Sequence, residues 1–257
     1  SRRSSWARLH KAGTRMEQRH LRPIGAHKRT YREAAYAAIR AAILANELPF
    51  DAPLVEEQLA AQLNISRTPV REALAILEHE ALLGPGEGRG LYIRVASPRT
   101  FDALLTAIEI VGTHLVRRAA HLITEELLQA LGETLHRNRY HADRGHLPGF
   151  LETGRRLWEL VGDAAENPPL RDVVVDHTER ADLYILAHSD AVSAGDMAVT
   201  HREYAAVLDA LVKRDPDEAA RLVTYHAQSL RARLPGLFEA AEPGEQGDWH
   251  EDLGALL

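Results

Sequence analysis

No cysteine occurs in the 257 residues, which excludes disulfides, thiolate metal ligands and thiol nucleophiles. Aromatic side chains are scarce, with four Phe, three Trp and seven Tyr, so the core must come chiefly from aliphatic residues. No apolar run approaches the roughly 18 residues of a membrane span, and the first residues lack the continuous apolar segment of a secretory signal. Cytoplasmic residence with no membrane association is therefore expected. Also missing are an H-E-x-x-H run, a G-x-S-x-G elbow and a P-loop, each a common signature of a hydrolase or nucleotide-binding enzyme.

The chain does carry an uneven charge. The net value of −6 conceals a front of 96 residues with 15 Lys/Arg against 10 Asp/Glu, and a remainder with 16 against 27. A basic front and an acidic back point to a polyanionic partner for the front alone. At this length two domains can each bury a real core. Residues 1–29 hold nine Lys/Arg and a single acid, Glu17, without an apolar period, and are expected to form a mobile basic arm.

The most informative stretch is Ile65-Ser66-Arg67-Thr68-Pro69-Val70-Arg71-Glu72-Ala73-Leu74. Ser66 suits a helix N-cap, and Pro69 falls in the first turn, where a missing N–H costs least. Val70, Ala73, Leu74, Leu77 and Ala81 recur at helical spacing and predict one buried face. Arg67 and Arg71 share another face beside Thr68. Guanidinium groups at a helix N-terminus suit a DNA major groove, where they fork onto guanine edges or phosphates. Upstream, Thr30 and Glu33 predict a capped helix from Tyr31 to about Asn46, and Val55–Leu63 predicts a short second helix that ends at Asn64 as a left-handed C-cap. Downstream, Leu82–Leu83 and Leu91–Val95 predict two strands around Gly84-Pro85-Gly86-Glu87-Gly88-Arg89-Gly90, with Arg89 at the tip. The combination is a winged helix-turn-helix over residues 30–96.

These residues resemble the DNA-binding domain of the GntR family of bacterial transcription regulators. The resemblance is carried by Leu54-Val55-Glu56-Glu57-Gln58-Leu59-Ala60, by Asn64 to Leu74, and by Gly88-Arg89-Gly90. It implies that a homodimer binds double-stranded operator DNA, with Ser66, Arg67, Thr68, Arg71, Gly88, Arg89 and Gly90 facing the duplex. Arg67 and Arg71 would meet base edges or phosphates, and the wing tip a minor groove. Some members have an arginine on the second helix where this chain has Glu57, so no DNA contact is expected from that position.

Past the junction Ala96-Ser97-Pro98 the pattern is wholly helical. Helices are expected near Pro98–His121, Thr124–Asp143, Pro148–Ala165, Pro169–His188, Val199–Arg214 and Pro216–Leu234, with breaks at Gly145, Asn167-Pro168-Pro169, Gly195 and Asp215-Pro216. The fold class is thus mainly α, a winged helix-turn-helix followed by a six-helix bundle. An acidic flexible tail is expected over 235–257.

Residues 98–234 resemble the all-helical effector domain called FCD (FadR C-terminal domain), through Ala164-Ala165-Glu166-Asn167-Pro168, His201, Val207-Leu208-Asp209-Ala210-Leu211 and His226. The resemblance implies effector binding, dimerisation and, in many members, a divalent metal such as Zn or Ni held by an Asp, a His and two further His. His201 and His226 match the last two, but Gly154 and Trp158 stand where the first pair belongs. Two imidazoles alone make a weak zinc site. His201 and His226 are therefore expected to line an effector pocket, metal-poor or metal-free, suited to a small carboxylate if Arg or Tyr lies near. Tyr184, Tyr204 and Tyr225 are either part of that pocket or core aromatics. The expected function is a ligand-responsive repressor with no catalytic residue. Two rivals stand beside it: a metal-dependent hydrolase built on the helical part, suggested by 14 histidines, and a DNA-binding protein without an effector.

Overall fold

The computed structural model describes residues 30–86, 88 and 90–238. The expected basic arm, Arg89 at the wing tip and residues 239–257 lie outside the described residues.

The first helix of the described residues is α1 (Tyr31–Leu44), which buries Ala35, Ile39 and Ile43 along one stripe. Next comes α2 (Glu56–Leu63), stopped by Asn64 at φ 52°, in the left-handed region where Asn is tolerated. The Ile65 N–H then reaches back to the Ala60 carbonyl at 3.1 Å. That closing bond makes the turn tight, and only three residues separate α2 from α3 (Arg67–His79). Val70, Ala73, Leu74 and Leu77 fill the core beneath it. The helix stops at His79, so Ala81 is not the last member of this face; it adopts φ 57° in the turn beyond.

β1 (Leu83–Pro85) pairs antiparallel with β2 (Leu91–Ile93), Gly84 opposite Tyr92. A lone bridge joins Leu54 to Leu91, so the ribbon is tied to the segment before α2. Across α1 and α3, the Tyr36 hydroxyl donates to both oxygens of Glu80, at 3.0 and 2.8 Å. Burial, then the bond to Glu80, pushes the Tyr36 phenol up to about 12.

Six long helices follow: α4 (Pro98–Leu122), α5 (Glu125–Asp143), α6 (Leu147–Ala164), α7 (Pro168–Ala187), α8 (Ala194–Val212) and α9 (Pro216–Arg233). α4 packs on α9 and α7, α5 on α6 and α8, α6 on α7, and α8 on α9. Most begin with a side-chain cap, from Ser97, Thr124, Asn167, Ser193 or Asp215. No helix among the described residues is long and apolar enough to cross a membrane.

Two expectations need correction. α8 starts at Ala194, five residues before the expected Val199, because Ser193 and Asp196 form a capping box that outweighs Gly195 in the first turn. The expected flexible tail does not start at 235. Pro235–Leu237 forms a 3-10 turn, Leu237 is 1% exposed, and its carbonyl accepts a hydrogen bond from the Tyr184 hydroxyl at 2.9 Å. Phe238 lies against Phe101, centroids 5.2 Å apart, and Phe101 in turn stacks on Tyr184 at 4.4 Å. Aromatic burial holds the chain here although Gly236 offers no helix propensity.

Candidate functional site

The start of α3 is presented outward. Ser66, Arg67 and Thr68 are exposed, as is Arg71 one turn on, while Val70 between them is fully buried. Ser66 has the extended backbone of an N-cap, yet its side chain makes no capping bond. The expected cap is thus backbone only, and its hydroxyl takes no part in holding the helix. α2 supplies an unforeseen partner. Glu56 accepts two bonds from Arg71 Nε, at 3.0 and 3.1 Å, and a third from Nη2 at 2.9 Å. Arg67 lies 3.6 Å from the same carboxylate. The hydrogen bond from Arg71 holds the Glu56 carboxyl below the usual carboxylate range. One carboxylate therefore gathers both guanidinium groups at the surface.

At the wing, a Cβ on Gly86 would fall 2.4 Å from the Tyr92 ring, and Gly90 holds φ 121°, a conformation closed to side-chain-bearing residues.

In the helical part, a cavity of about 90 Å³ lies among α4, α6, α7, α8 and α9. Its walls are mostly apolar, including Phe150, Met197 and Leu230. Three carboxylates line it, Glu109, Asp182 and Asp196, together with Tyr204 and His226, and neither Arg nor Lys does. A second space of about 50 Å³ shares Trp158, Tyr204 and His226 with the first.

The two singled-out histidines do not converge. His226 Nδ1 meets Glu203 Oε2 at 2.6 Å, and its ring lines the cavity. His201 Nδ1 instead meets Asn138 Oδ1 on α5 at 3.1 Å, and the ring is absent from the cavity wall. Thr200 and Tyr204, one turn apart, take the cavity-facing positions, which turns His201 aside. Burial, then the Arg139 charge, lowers the His201 imidazole's affinity for protons.

The metal that the helical resemblance implies does not fit these residues. Gly154 offers no donor, and Trp158 packs its ring so closely on Gly112 that a Cβ there would lie 2.5 Å away. Among the described residues no group of three His, Asp or Glu could hold an ion. Of the three tyrosines, Tyr184 is core and Tyr225 is 51% exposed, which leaves Tyr204 at the cavity.

A buried charge chain lies behind the cavity. Arg155 on α6 pairs with Asp182 on α7, both largely inaccessible. One turn earlier on α7, Glu179 pairs at 2.5 Å with Arg40 of α1. Burial raises Asp182 to about 7 despite the Arg155 charge. Glu179 is likewise raised by burial, opposed by Arg40 and Arg155. The Arg40 Nε is buried without a hydrogen-bond partner among the described residues.

Comparison with known proteins agrees with this geometry. The family model described as "Bacterial regulatory proteins, gntR family" matches residues 31–93, and that of the FCD domain matches 103–229. The chain is 29% identical over 203 residues to the HTH-type transcriptional repressor RspR of Escherichia coli K12, covering 78% of this chain and 85% of that one. An uncharacterized HTH-type transcriptional regulator of the TAR-I ttuE-ttuC' intergenic region in Agrobacterium vitis is 31% identical over 137 residues, 52% of this chain and 80% of the relative. The solved structure of E. coli McbR/YncC superposes with a TM-score of 0.73 at 19% identity, covering 82% of this chain and all of that one, and so speaks for the fold. The outward arginines, the wing and the helical domain thus have one explanation: the chain belongs to the GntR family of bacterial regulatory proteins, FCD subgroup, and is a ligand-responsive DNA-binding transcription regulator rather than an enzyme.

Proposed function

We propose that this chain acts in the cytoplasm as a homodimeric repressor. In this reading α3 enters the operator's major groove with Ser66, Arg67, Thr68 and Arg71, and the wing around Gly88, Arg89 and Gly90 lies along a neighbouring minor groove. The observation that carries it is the split character of α3, exposed at both arginines and closed at Val70. A repressor is favoured because the RspR relative is an HTH-type transcriptional repressor. Two recognition helices in a dimer read half-sites about 34 Å apart or less.

The effector acts by population shift: a ligand that prefers one arrangement of the helical domain changes how the two heads are held. α7 is suited to carry this, because Asp182 lines the cavity while Glu179, one turn away, grips Arg40 of α1. The carboxylate class of effector finds no Arg or Lys on the cavity wall.

The test is operator binding by the Arg71→Ala variant. Specific affinity should fall on the order of 10- to 100-fold, while affinity for unrelated duplex changes far less. Undiminished specific affinity would remove the groove contact. If no small molecule changes the melting temperature or operator affinity, the effector-free reading replaces this one, since a ligand of the folded state must stabilise it.

A further inference from the structure

We propose that the cavity takes a small ammonium compound with an apolar body, its cationic head held between Asp182 Oδ1 and the Tyr204 phenol oxygen. The inference rests on the effector-responsive reading above and names the class of its ligand.

Asp182 is 4% exposed and lines the cavity. Arg155 donates to its Oδ2, and its Oδ1 accepts no hydrogen bond among the described residues. A carboxylate oxygen without a donor on a cavity wall marks a place for one. The Tyr204 hydroxyl is a second such atom. It lines the same cavity and makes no hydrogen bond to any described residue. Both side chains belong to the wall of one small cavity, so a single ligand can touch both; burial first, and then the Asp182 charge, raises the phenol.

The other two carboxylates on the wall already face guanidinium groups, and the imidazole shares one nitrogen with a carboxylate. Glu109 faces Arg231 at 3.4 Å, Asp196 accepts from its own cap Ser193 and lies 3.5 Å from Arg233, and His226 Nδ1 is taken by Glu203. An anionic ligand would meet three carboxylates and no cation of its own. A cation meets an open acceptor. Burial lifts Asp182 to about 7 against the pull of Arg155, so a single guanidinium does not fully compensate the buried charge, and a second cation would. Around this polar end, Phe150, Met197 and Leu230 offer only hydrocarbon contact. The cavity of about 90 Å³ restricts the body to a few carbons. Ammonium N–H groups would donate to Asp182 Oδ1 and to the Tyr204 oxygen, and the alkyl group would lie on the apolar wall.

The experiment uses the full chain and three matched series: propylamine, isobutylamine and isoamylamine, the alcohols of the same skeletons, and the corresponding carboxylates. Melting temperature is read together with affinity for a duplex selected by the protein from a random pool. The amines should raise the melting temperature and shift duplex affinity; the carboxylates should do neither, and the alcohols should act more weakly than the amines. Asp182→Asn should abolish the amine response. Tyr204→Phe removes a hydroxyl that makes no bond within the fold, so it should fold normally and bind the amine on the order of 10-fold more weakly. The proposal is overturned if carboxylates stabilise more than amines, if no amine produces a shift, or if the amine shift survives in Tyr204→Phe and Asp182→Asn alike. Selection of a specific duplex without amine response would overturn the ligand class alone. Failure to select any duplex would overturn the regulator reading itself.

Discussion

At the scale of single residues, the arginine pair was legible and its partner was not. Arg67 and Arg71 declare themselves by spacing on a helix start. Glu56 stands 15 residues before Arg71, on another helix, and only the tight turn at Asn64 brings them together. Exposed pairs of this kind contribute little stability; if the proposed groove contacts hold, what Glu56 does is set where the guanidinium groups point. Glu56→Ala should therefore raise affinity for unrelated duplex and lower the specific-to-unspecific ratio severalfold, measured by competition binding at fixed salt. The histidines show the opposite failure. Sequence places His201 and His226 on neighbouring helices, but helical phase decides facing, and one residue's rotation sends His201 toward Asn138. Asp182 yields a pH prediction. Its folded pKa, near 7, exceeds the ordinary 3.8, so between about pH 4 and 7 the folded state holds more protons than the unfolded one. Stability from this group falls as pH rises through that window. Wild type should lose melting temperature relative to Asp182→Asn on going from pH 4 to pH 7; a difference that does not vary with pH would contradict this.

At the scale of elements, sequence periodicity located every long helix, and the errors fall at ends. α8 was expected late because Gly195 reads as a breaker, whereas Ser193 and Asp196 cap each other's backbone and start the helix before it. The tail was expected to fray because its composition is glycine-rich and acidic, and composition cannot foresee that Tyr184 has a hydroxyl awaiting the Leu237 carbonyl. Leu237→Ala should cost about 2–5 kcal/mol in chemical denaturation, as for other fully buried leucines. A value near zero would mean the 3-10 turn is ornamental to the fold. Between α4 and α6, Gly112 admits the Trp158 ring, and a methyl group there would lie 2.5 Å from it. Gly112→Ala should destabilise by about 1–3 kcal/mol through overpacking. The same measurement on Gly132→Ala, where the added carbon meets nothing within 4 Å, should show no loss and serves as its control.

At the scale of the whole molecule, charge asymmetry and motif order announced a reader of DNA joined to a helical sensor. They could not announce the joint, because ion pairs between distant segments leave no local pattern. One buried apolar cluster runs from Ala35 on α1 to Leu237 beyond α9, and a second, around Leu115, Leu160 and Leu211, is confined to the helical part. The head thus shares its core with the part of the bundle that also carries the cavity. Glu179→Gln should weaken the grip on Arg40 and bring unliganded operator affinity severalfold toward its effector-bound value, by gel shift; affinity unchanged in both states would show that α7 does not transmit. Arg40 reaches across with one nitrogen while its Nε goes unmet. A hybrid that grafts this reader onto another relative's sensor would keep its arginines yet turn a half-buried cation toward a stranger's helix, so chimeric biosensors made from it must exchange Arg40 and Glu179 as a unit.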